Sequence, residues 1–399
     1  MTRLKATHQQ TRAHNESLIL RTLFDRGPIS RAAVARMTDL TRTTVGDVIE
    51  NLLASGIAHE VGRGPSPRGK APILLEIVED ARLVVGLDLS EPAFVGALVD
   101  LRGHLRRVIV REAADGGASA LDTAMAIVDE LIATATRPVL GIGIATPGLV
   151  DTARGTIIRA VNLTWENVAL AAAFEERYGL PTQIANDARA VATGEELFGS
   201  SIGSGNLVAV KVGTGIGAGI ILRGELFHGD GFGAGEIGHV SVVAGGLVCR
   251  CGAQGCLETV ASSSSMLRLA AEAASLAPAS PIGRIARTSN RLVVSDLTRA
   301  MALGDQAVAE IVADAGRFLG SVIADVIATL NVRRIVLFGT ATELGEPWVE
   351  AVRAGAAARS YGALYAQTQI SIGQRTEDAV VRGAVALLMS HELGFMSVR

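Results

Sequence analysis

The sequence predicts an α/β protein: a small helical head with a two-stranded wing, residues 1–80, ahead of a larger two-lobed body, residues 81–399. Three observations carry this. Apolar residues recur at helical spacing up to Gly56 and then turn to strand-like alternation. Beyond Asp80 the same strand-hairpin-helix order occurs twice, which implies two related lobes with a cleft between them. All three cysteines of the 399-residue chain, Cys249, Cys251 and Cys256, fall in one glycine-rich loop. With 49% apolar residues, 4% aromatic ones and 45 glycines, the chain suits Ala/Val/Leu-packed layers joined by tight turns. No apolar run reaches the ~18 residues that a spanning helix needs, and the polar, basic N-terminus lacks the apolar stretch of a signal peptide. A cytoplasmic protein without membrane contact is expected.

In the head, Leu18, Ile19, Leu23 and Phe24 form the apolar stripe of a helix starting near Asn15 and stopping at Gly27-Pro28. Ser30 caps a second helix, Arg31 to Met37. Thr38-Asp39-Leu40 makes a short turn, with Asp39 where glycine is common and where Asp tolerates the left-handed conformation. Thr41 then caps a third helix that turns Val45, Ile49, Leu52 and Leu53 inward. This order is a helix-turn-helix. Strands at Ile57–Val61 and Ile73–Ile77 add a wing whose tip carries Arg68 and Lys70.

Charge supports a polyanionic partner for this part alone: residues 1–72 hold 11 Lys and Arg against 6 Asp and Glu, while the whole chain has a net charge of −3. Winged helices also serve as protein-interaction modules, but the basic tip and third helix favour DNA. Arg42, Thr43 and Thr44, at the exposed start of the third helix, are the candidates for base and phosphate contacts; Arg68 and Lys70 suit the adjacent backbone or minor groove. One such head offers few base contacts, so a homodimer or homotetramer on an inverted repeat of operator DNA is expected.

In the body, Leu83–Leu89, Phe94–Asp100 and His104–Glu112 read as an antiparallel meander, followed by a helix at about 118–135 and a buried strand, Val139–Ala145. Then come a strand at Pro181–Asp187, a helix at 188–198 and a hairpin of Leu207–Val212 with Ala218–Leu222. Helices near 305–330 and 379–393 bracket a strand at Arg333–Phe338. We divide the body into one lobe of roughly 81–190 plus the helix 379–393, and a second of 191–378.

Cys249, Cys251 and Cys256, with His239 ten residues before the first of them, supply the four ligands of a tetrahedral zinc site. The odd count, the short spacing and the lack of a secretory signal argue against a disulfide framework. One structural Zn²⁺ per chain is expected, with Gly252 and Gly255 allowing the loop to fold three sulfurs onto one ion.

Glu236 and Glu258 flank this loop, and a structural zinc site needs neither. The run from Glu236 through Gly238-His239, followed by C-x-C-G-x-x-G-C-x-E ending at Glu258, resembles the signature of the ROK family of repressors and sugar kinases. The resemblance extends over nearly the whole chain. It implies an actin-like, ribonuclease-H-like body with a sugar in the interlobe cleft, held by Asn162, Asn186, Asp187, Glu236, His239 and Glu258. It also places Asp187 where the family's kinases carry a general base. His239 is expected to put one nitrogen on zinc and to aim the other at the sugar or at a neighbouring acceptor. On the residues alone, Asn186-Asp187 serves equally well as the cap of the following helix.

The family splits into kinases and regulators, and this chain resembles its N-acetylglucosamine and xylose repressors. The hairpin Gly86 to Phe94 departs from the kinase pattern Asp-x-Gly-Gly-Thr-Lys. Asp88 remains, but the glycines and lysine are missing, Glu91 adds negative charge and Pro92 removes an N–H donor. The second hairpin, Gly213 to Gly219, keeps its glycines, while Phe338-Gly339-Thr340-Ala341 replaces a multi-glycine nucleotide turn. A sugar-responsive transcriptional repressor without enzyme activity is therefore expected, its effector a free sugar or sugar phosphate. The alternative is a sugar kinase, with Asp187 as base, that retains a DNA-binding head.

Overall fold

The computed structural model describes residues 8–65, 71–90, 92–113, 116–374 and 376–395. The head consists of α1 (His8–Arg26), β1 (Ile29–Ser30), α2 (Arg31–Thr38), α3 (Arg42–Ala54), β2 (Ala58–Arg63) and β3 (Ile73–Ile77). The strands pair antiparallel in the order β1-β3-β2. Both caps form as their residue types require: Ser30 Oγ accepts the Ala33 N–H at 3.3 Å and Thr41 Oγ1 the Thr44 N–H at 3.2 Å. Asp39 takes the left-handed conformation, with φ of +55°. Arg68 and Lys70 lie outside the described residues.

Two details differ from the sequence expectation. The first helix starts at His8, and its buried set is Ile19, Leu20, Leu23 and Phe24, with Leu18 only half-buried. In α3, Val48 is buried while Leu53 is half-buried. The reason for the first is that α1 serves two cores. The Phe24 ring lies 6.4 Å from that of Phe198 and 4.8 Å from that of Phe395, and the Arg102 guanidinium stacks 4.6 Å from its centre. Head residues Ile19 to Leu52 thus share one apolar cluster with Val84, Ala97, Val99 and Leu197 of the body.

The body opens with the meander β4 (Leu83–Asp88), β5 (Ala93–Asp100) and β6 (Leu105–Glu112), then α4 (Gly117–Ala133) and β7 (Val139–Thr146). A small antiparallel sheet, β8 (Leu149–Asp151), β9 (Thr156–Ala160) and β10 (Trp165–Val168), precedes α5 (Leu170–Tyr178), β11 (Thr182–Asn186) and α6 (Asp187–Phe198). The first main sheet has the order β11-β7-β4-β5-β6. The second part contains β12 (Asn206–Val212), β13 (Ile216–Leu222), β14 (Glu225–Leu226), α7 (Glu258–Ala261), α8 (Ser263–Leu276), α9 (Pro281–Ala286), α10 (Val294–Ala302) and α11 (Gln306–Leu330). It closes with β15 (Arg334–Phe338), α12 (Glu346–Arg359), α13 (Gly362–Tyr365), β16 (Gln369–Ile372) and α14 (Ala379–Leu393). Its sheet has the order β14-β13-β12-β15-β16.

Two helices sit between these sheets. Residues Ala190, Val191 and Ala192 of α6 pack on β12, β13 and β15 through Leu207, Ala209, Ile221, Val336 and Phe338. On its other side α6 packs on α14, which itself covers β7 and β4. The two helices cross where Gly194 meets Gly383: a Cβ on Gly194 would lie 2.9 Å from the Gly383 Cα, and one on Gly383 would overlap the Ala190 carbonyl oxygen. Gly383→Ala therefore pits a gain of about 1 kcal/mol in helix propensity against an overpacking cost of about 1–3 kcal/mol. With backbone as the obstacle the cost wins, so the variant is expected to unfold at lower denaturant than the unchanged protein. An unchanged or higher midpoint would show that the crossing relaxes freely.

Candidate functional site

The cysteine loop is a narrow knuckle. The Cys249 N–H donates to the Ala253 carbonyl at 2.7 Å and the Gly255 N–H to that of Leu247 at 2.9 Å. Gly252 and Gly255 turn the chain at φ of +96° and +70°, which only glycine adopts without strain. His239 ends a 3-10 turn, Ile237–His239, that brings its ring over the knuckle. The Nδ1 of His239 is 3.6 Å from Cys249 Sγ, and Cys251 Sγ is 3.7 Å from Cys256 Sγ, too far for a disulfide. A tetrahedral zinc ion separates neighbouring sulfurs by about 3.8 Å and a sulfur from an imidazole nitrogen by about 3.5 Å. All four donor atoms lie within 4.8 Å of one another. Burial, with the neighbouring sulfurs, pushes the Cys256 thiol up to about 12 and burial raises Cys249, while a hydrogen bond from the Ala253 backbone lowers Cys251. A cation favours the thiolate form of all three. The four residues form a Cys₃His cluster compatible with zinc.

His239 also links this cluster to the cleft. Its Nε2 points toward Glu236, 3.8 Å from Oε2. Glu236 is partly buried; desolvation raises its carboxyl, opposed by His239 and Arg189 and reinforced by Asp187 and Glu258. The structure therefore gathers Glu236, His239, Asp187 and Glu258 into one electrostatic neighbourhood. Glu258 opens α7, and its Oε2 accepts the Ile216 N–H at 3.0 Å. A Cβ on Gly215 would lie 2.6 Å from the same oxygen. In this conformation a carboxylate therefore lies against the second glycine hairpin.

Asn186 and Asp187 stand at the junction of β11 and α6, at the carboxyl end of a parallel strand, where α/β sheets gather ligands. Asn186 Oδ1 accepts the Ala188 N–H at 3.0 Å, and its Nδ2 donates to the Gly148 carbonyl at 3.0 Å. Its amide thus caps α6 and straps the neighbouring turn. Asp187 faces the cleft: its Oδ2 accepts from Lys211 Nζ at 2.6 Å and from Ser90 Oγ at 3.3 Å. Asn162, in the turn before β10, accepts through Oδ1 from Arg250 Nη1 of the knuckle at 2.7 Å, an interaction that joins the two sides of the cleft.

Sequence reasoning missed Lys211, Ser90, Arg250 and Arg189. Arg189, one turn into α6, is 1% exposed and donates through Nη2 to the carbonyls of Phe232 and Ala234, tying the segment before Glu236 to α6. Burial lowers its guanidinium, opposed by Glu236. Lys211 had a readable signal: it is one of only three lysines in the chain, and it interrupts the apolar strand Leu207-Val208-Ala209-Val210. Glu91 of the first hairpin lies outside the described residues.

In the head, Arg42 and Thr43 are exposed at the start of α3. Thr44 is half-buried, and its hydroxyl is shared with Thr41 Oγ1 at 2.9 Å, so it belongs as much to the cap as to the surface. Among the described residues, no helix is long and apolar enough to cross a membrane.

Comparison with known proteins gives the family. The chain is 29% identical to the xylose repressor of Caldicellulosiruptor bescii, over 97% of this chain and 98% of that protein. A crystallised ROK family transcriptional regulator, a homologue of the Escherichia coli Mlc protein, superposes with a TM-score of 0.84 at 24% identity, covering 96% of this chain and 98% of that one. A ROK family glucokinase from Streptomyces griseus, solved with glucose and AMPPNP, superposes with a TM-score of 0.68 at 28% identity, covering 76% of this chain and 97% of that one. The ROK family profile itself matches residues 84–391, so the chain belongs to the ROK family.

Proposed function

We propose that this protein is a cytoplasmic, sugar-responsive, DNA-binding transcriptional regulator, a repressor of carbohydrate uptake or catabolism genes. The observation that carries the reading is one helix. α6 begins at Asp187 in the cleft and ends at Phe198 against Phe24 of α1, so the candidate sugar site and the DNA-reading head share a rod about 18 Å long. The head comprises residues 1–80, with Arg42, Thr43, Thr44, Arg68 and Lys70 on DNA; the body comprises residues 81–399. In the cleft, Asp187, Glu236 and Glu258 offer acceptors to the hydroxyls of a sugar and the Nε2–H of His239 a donor, with Asn162 and Asn186 at its margin. Tilting of α6 on sugar binding shifts the head and changes the spacing of two recognition helices in a homodimer or homotetramer on an inverted repeat.

One structural Zn²⁺ per chain, held by His239, Cys249, Cys251 and Cys256, pins the knuckle between Glu236 and Glu258. The kinase alternative, with Asp187 as general base, has less support because the 86–94 hairpin lacks the glycine pair and lysine of the kinase pattern and carries Pro92. The test begins with a thermal-shift panel of xylose, glucose, N-acetylglucosamine and their phosphates. DNA retention and ATP consumption are then measured with the best hit. A sugar that shifts operator affinity without ATP turnover supports the reading; hexose-dependent ATP turnover lost in Asp187→Asn overturns it. In the same assay Arg42→Ala should reduce discrimination against a wrong base pair by about 1–3 kcal/mol, read as a narrowed ratio of operator to random-sequence affinity. An unchanged ratio would remove Arg42 from the base-reading set.

A further inference from the structure

We propose that Lys211 is the built-in cation of the cleft: paired with Asp187 and within reach of the field of Asp88, it fills the place that a phosphoryl-transfer site leaves for a divalent metal ion and a free base. The inference deepens the sensor reading and rests on it. Lys211 stands on β12, in the second sheet, whereas Asp88 ends β4 and Asp187 follows β11 in the first. Its ammonium crosses the cleft to lie 2.6 Å from Asp187 Oδ2, and the two side chains are only 17% and 13% exposed. Ser90 bridges the carboxylates: its N–H donates to Asp88 Oδ1 at 2.8 Å and its hydroxyl to Asp187 Oδ2 at 3.3 Å.

Phosphoryl transfer needs a carboxylate free to accept the substrate's proton and a divalent ion beside it to neutralise phosphate charge. Here one oxygen of Asp187 is held by an ammonium that cannot leave its strand. The same ammonium sits within the field of Asp88, whose carboxyl is raised by burial and drawn back down by Lys211. Burial pulls the lysine itself down, but the two carboxylates outweigh it and hold it charged. A tethered cation leaves Asp187 ionised and able to accept a sugar hydroxyl, while occupying the space a metal would use. It also joins the two sheets at the depth of the cleft.

The test uses Lys211→Met in the full-length protein, with manganese as probe and sugar affinity as a second readout. Manganese avoids the thiolate cluster, which favours softer metals. The unchanged protein is expected to take up no manganese in the cleft. Lys211→Met should take up one ion per chain, seen as loss of the free-ion resonance, and Asp88→Asn added to it should abolish that uptake. Without manganese, Lys211→Met should bind sugar on the order of tenfold more weakly, with recovery on adding the ion. The double variant Asp88→Asn/Lys211→Met, which restores the charge sum of the cleft, should fold and bind sugar within a few-fold of the unchanged protein even if the single variant does not fold. Asp88-dependent manganese uptake by the unchanged protein overturns the proposal. So does a Lys211→Met protein that neither takes up manganese nor loses sugar affinity, or a double variant that recovers nothing. Failure of the sensor reading is read separately, from sugar-dependent ATP turnover in the unchanged protein.

Discussion

Cys251→Ser is expected to leave the protein with little or no bound zinc and to cost it the sugar site, the largest effect of any single substitution considered. The unchanged protein should carry one zinc per chain by elemental analysis. The reason lies in what the knuckle holds. Glu236 immediately precedes the turn that presents His239, and Glu258 lies two residues beyond Cys256. The Leu257 N–H donates to the Val240 carbonyl at 2.8 Å, and the Val242 N–H to that of Gly255 at 2.8 Å, so the stretch before Cys249 and the stretch after Gly255 are paired through the chelating loop. Without the ion, three crowded thiols give back part of the binding free energy that orders the segment. A loss of ~3 kcal/mol lowers the melting temperature by about 3–4 °C in a chain of 399 residues. Sugar affinity should fall at least about tenfold, because two acceptors then lose their fixed spacing. A metal-free native protein, equally stable and equally tight for sugar, would end the zinc assignment.

Asp187→Ala should separate the two halves of the proposed function. The carboxylate is the cleft acceptor held most firmly, by Lys211 at 2.6 Å and Ser90 at 3.3 Å. A hydrogen bond from a sugar hydroxyl to a charged group is worth about 1.5–3 kcal/mol, so its loss weakens sugar binding about ten- to hundredfold. α3 belongs to the head and Asp187 to the start of α6, and Asn186, which caps α6, is untouched. Operator affinity without sugar should therefore stay within about twofold, while the response to sugar disappears at concentrations that saturate the unchanged protein. Linkage demands the converse as well: in the unchanged protein, operator DNA must alter sugar affinity by the same factor that sugar alters DNA affinity. Calorimetry for sugar and fluorescence anisotropy for DNA give both numbers. A variant that answers sugar like the unchanged protein would remove Asp187, and the cleft with it, from the sensing role.

Features set by neighbours in the chain are legible in the sequence. The caps at Ser30 and Thr41, the left-handed Asp39 and the helix at 379–393 follow from residue type and spacing within one or two turns. So does the Cys₃His cluster, because a loop with glycines at its turns carries its geometry in a short segment. Where expectation and structure part, distant contacts are responsible. Leu18 and Leu53 fit the apolar pattern of their helices, yet Leu20 and Val48 are the buried members. In α1 the helix must also serve Phe198 and Phe395 of the body.

The candidate site divides in the same way. From the sequence by itself came the α/β class, the winged head, the Cys₃His set and the acidic residues that flank it, since each is written in local composition, periodicity or a short motif. Only the tertiary structure decided that Lys211 crosses from β12 to Asp187, that Arg250 of the knuckle reaches Asn162, and that Glu258 holds Ile216 of the glycine hairpin. It alone revealed α6 and α14 as the pair of helices between two sheets, with α6 running from Asp187 at one end to the head at the other. These pairings join residues from 24 to 88 positions apart, and no local periodicity encodes them. They arise because two sheets must bury their facing surfaces on shared helices, and that packing determines which polar side chains meet in the cleft.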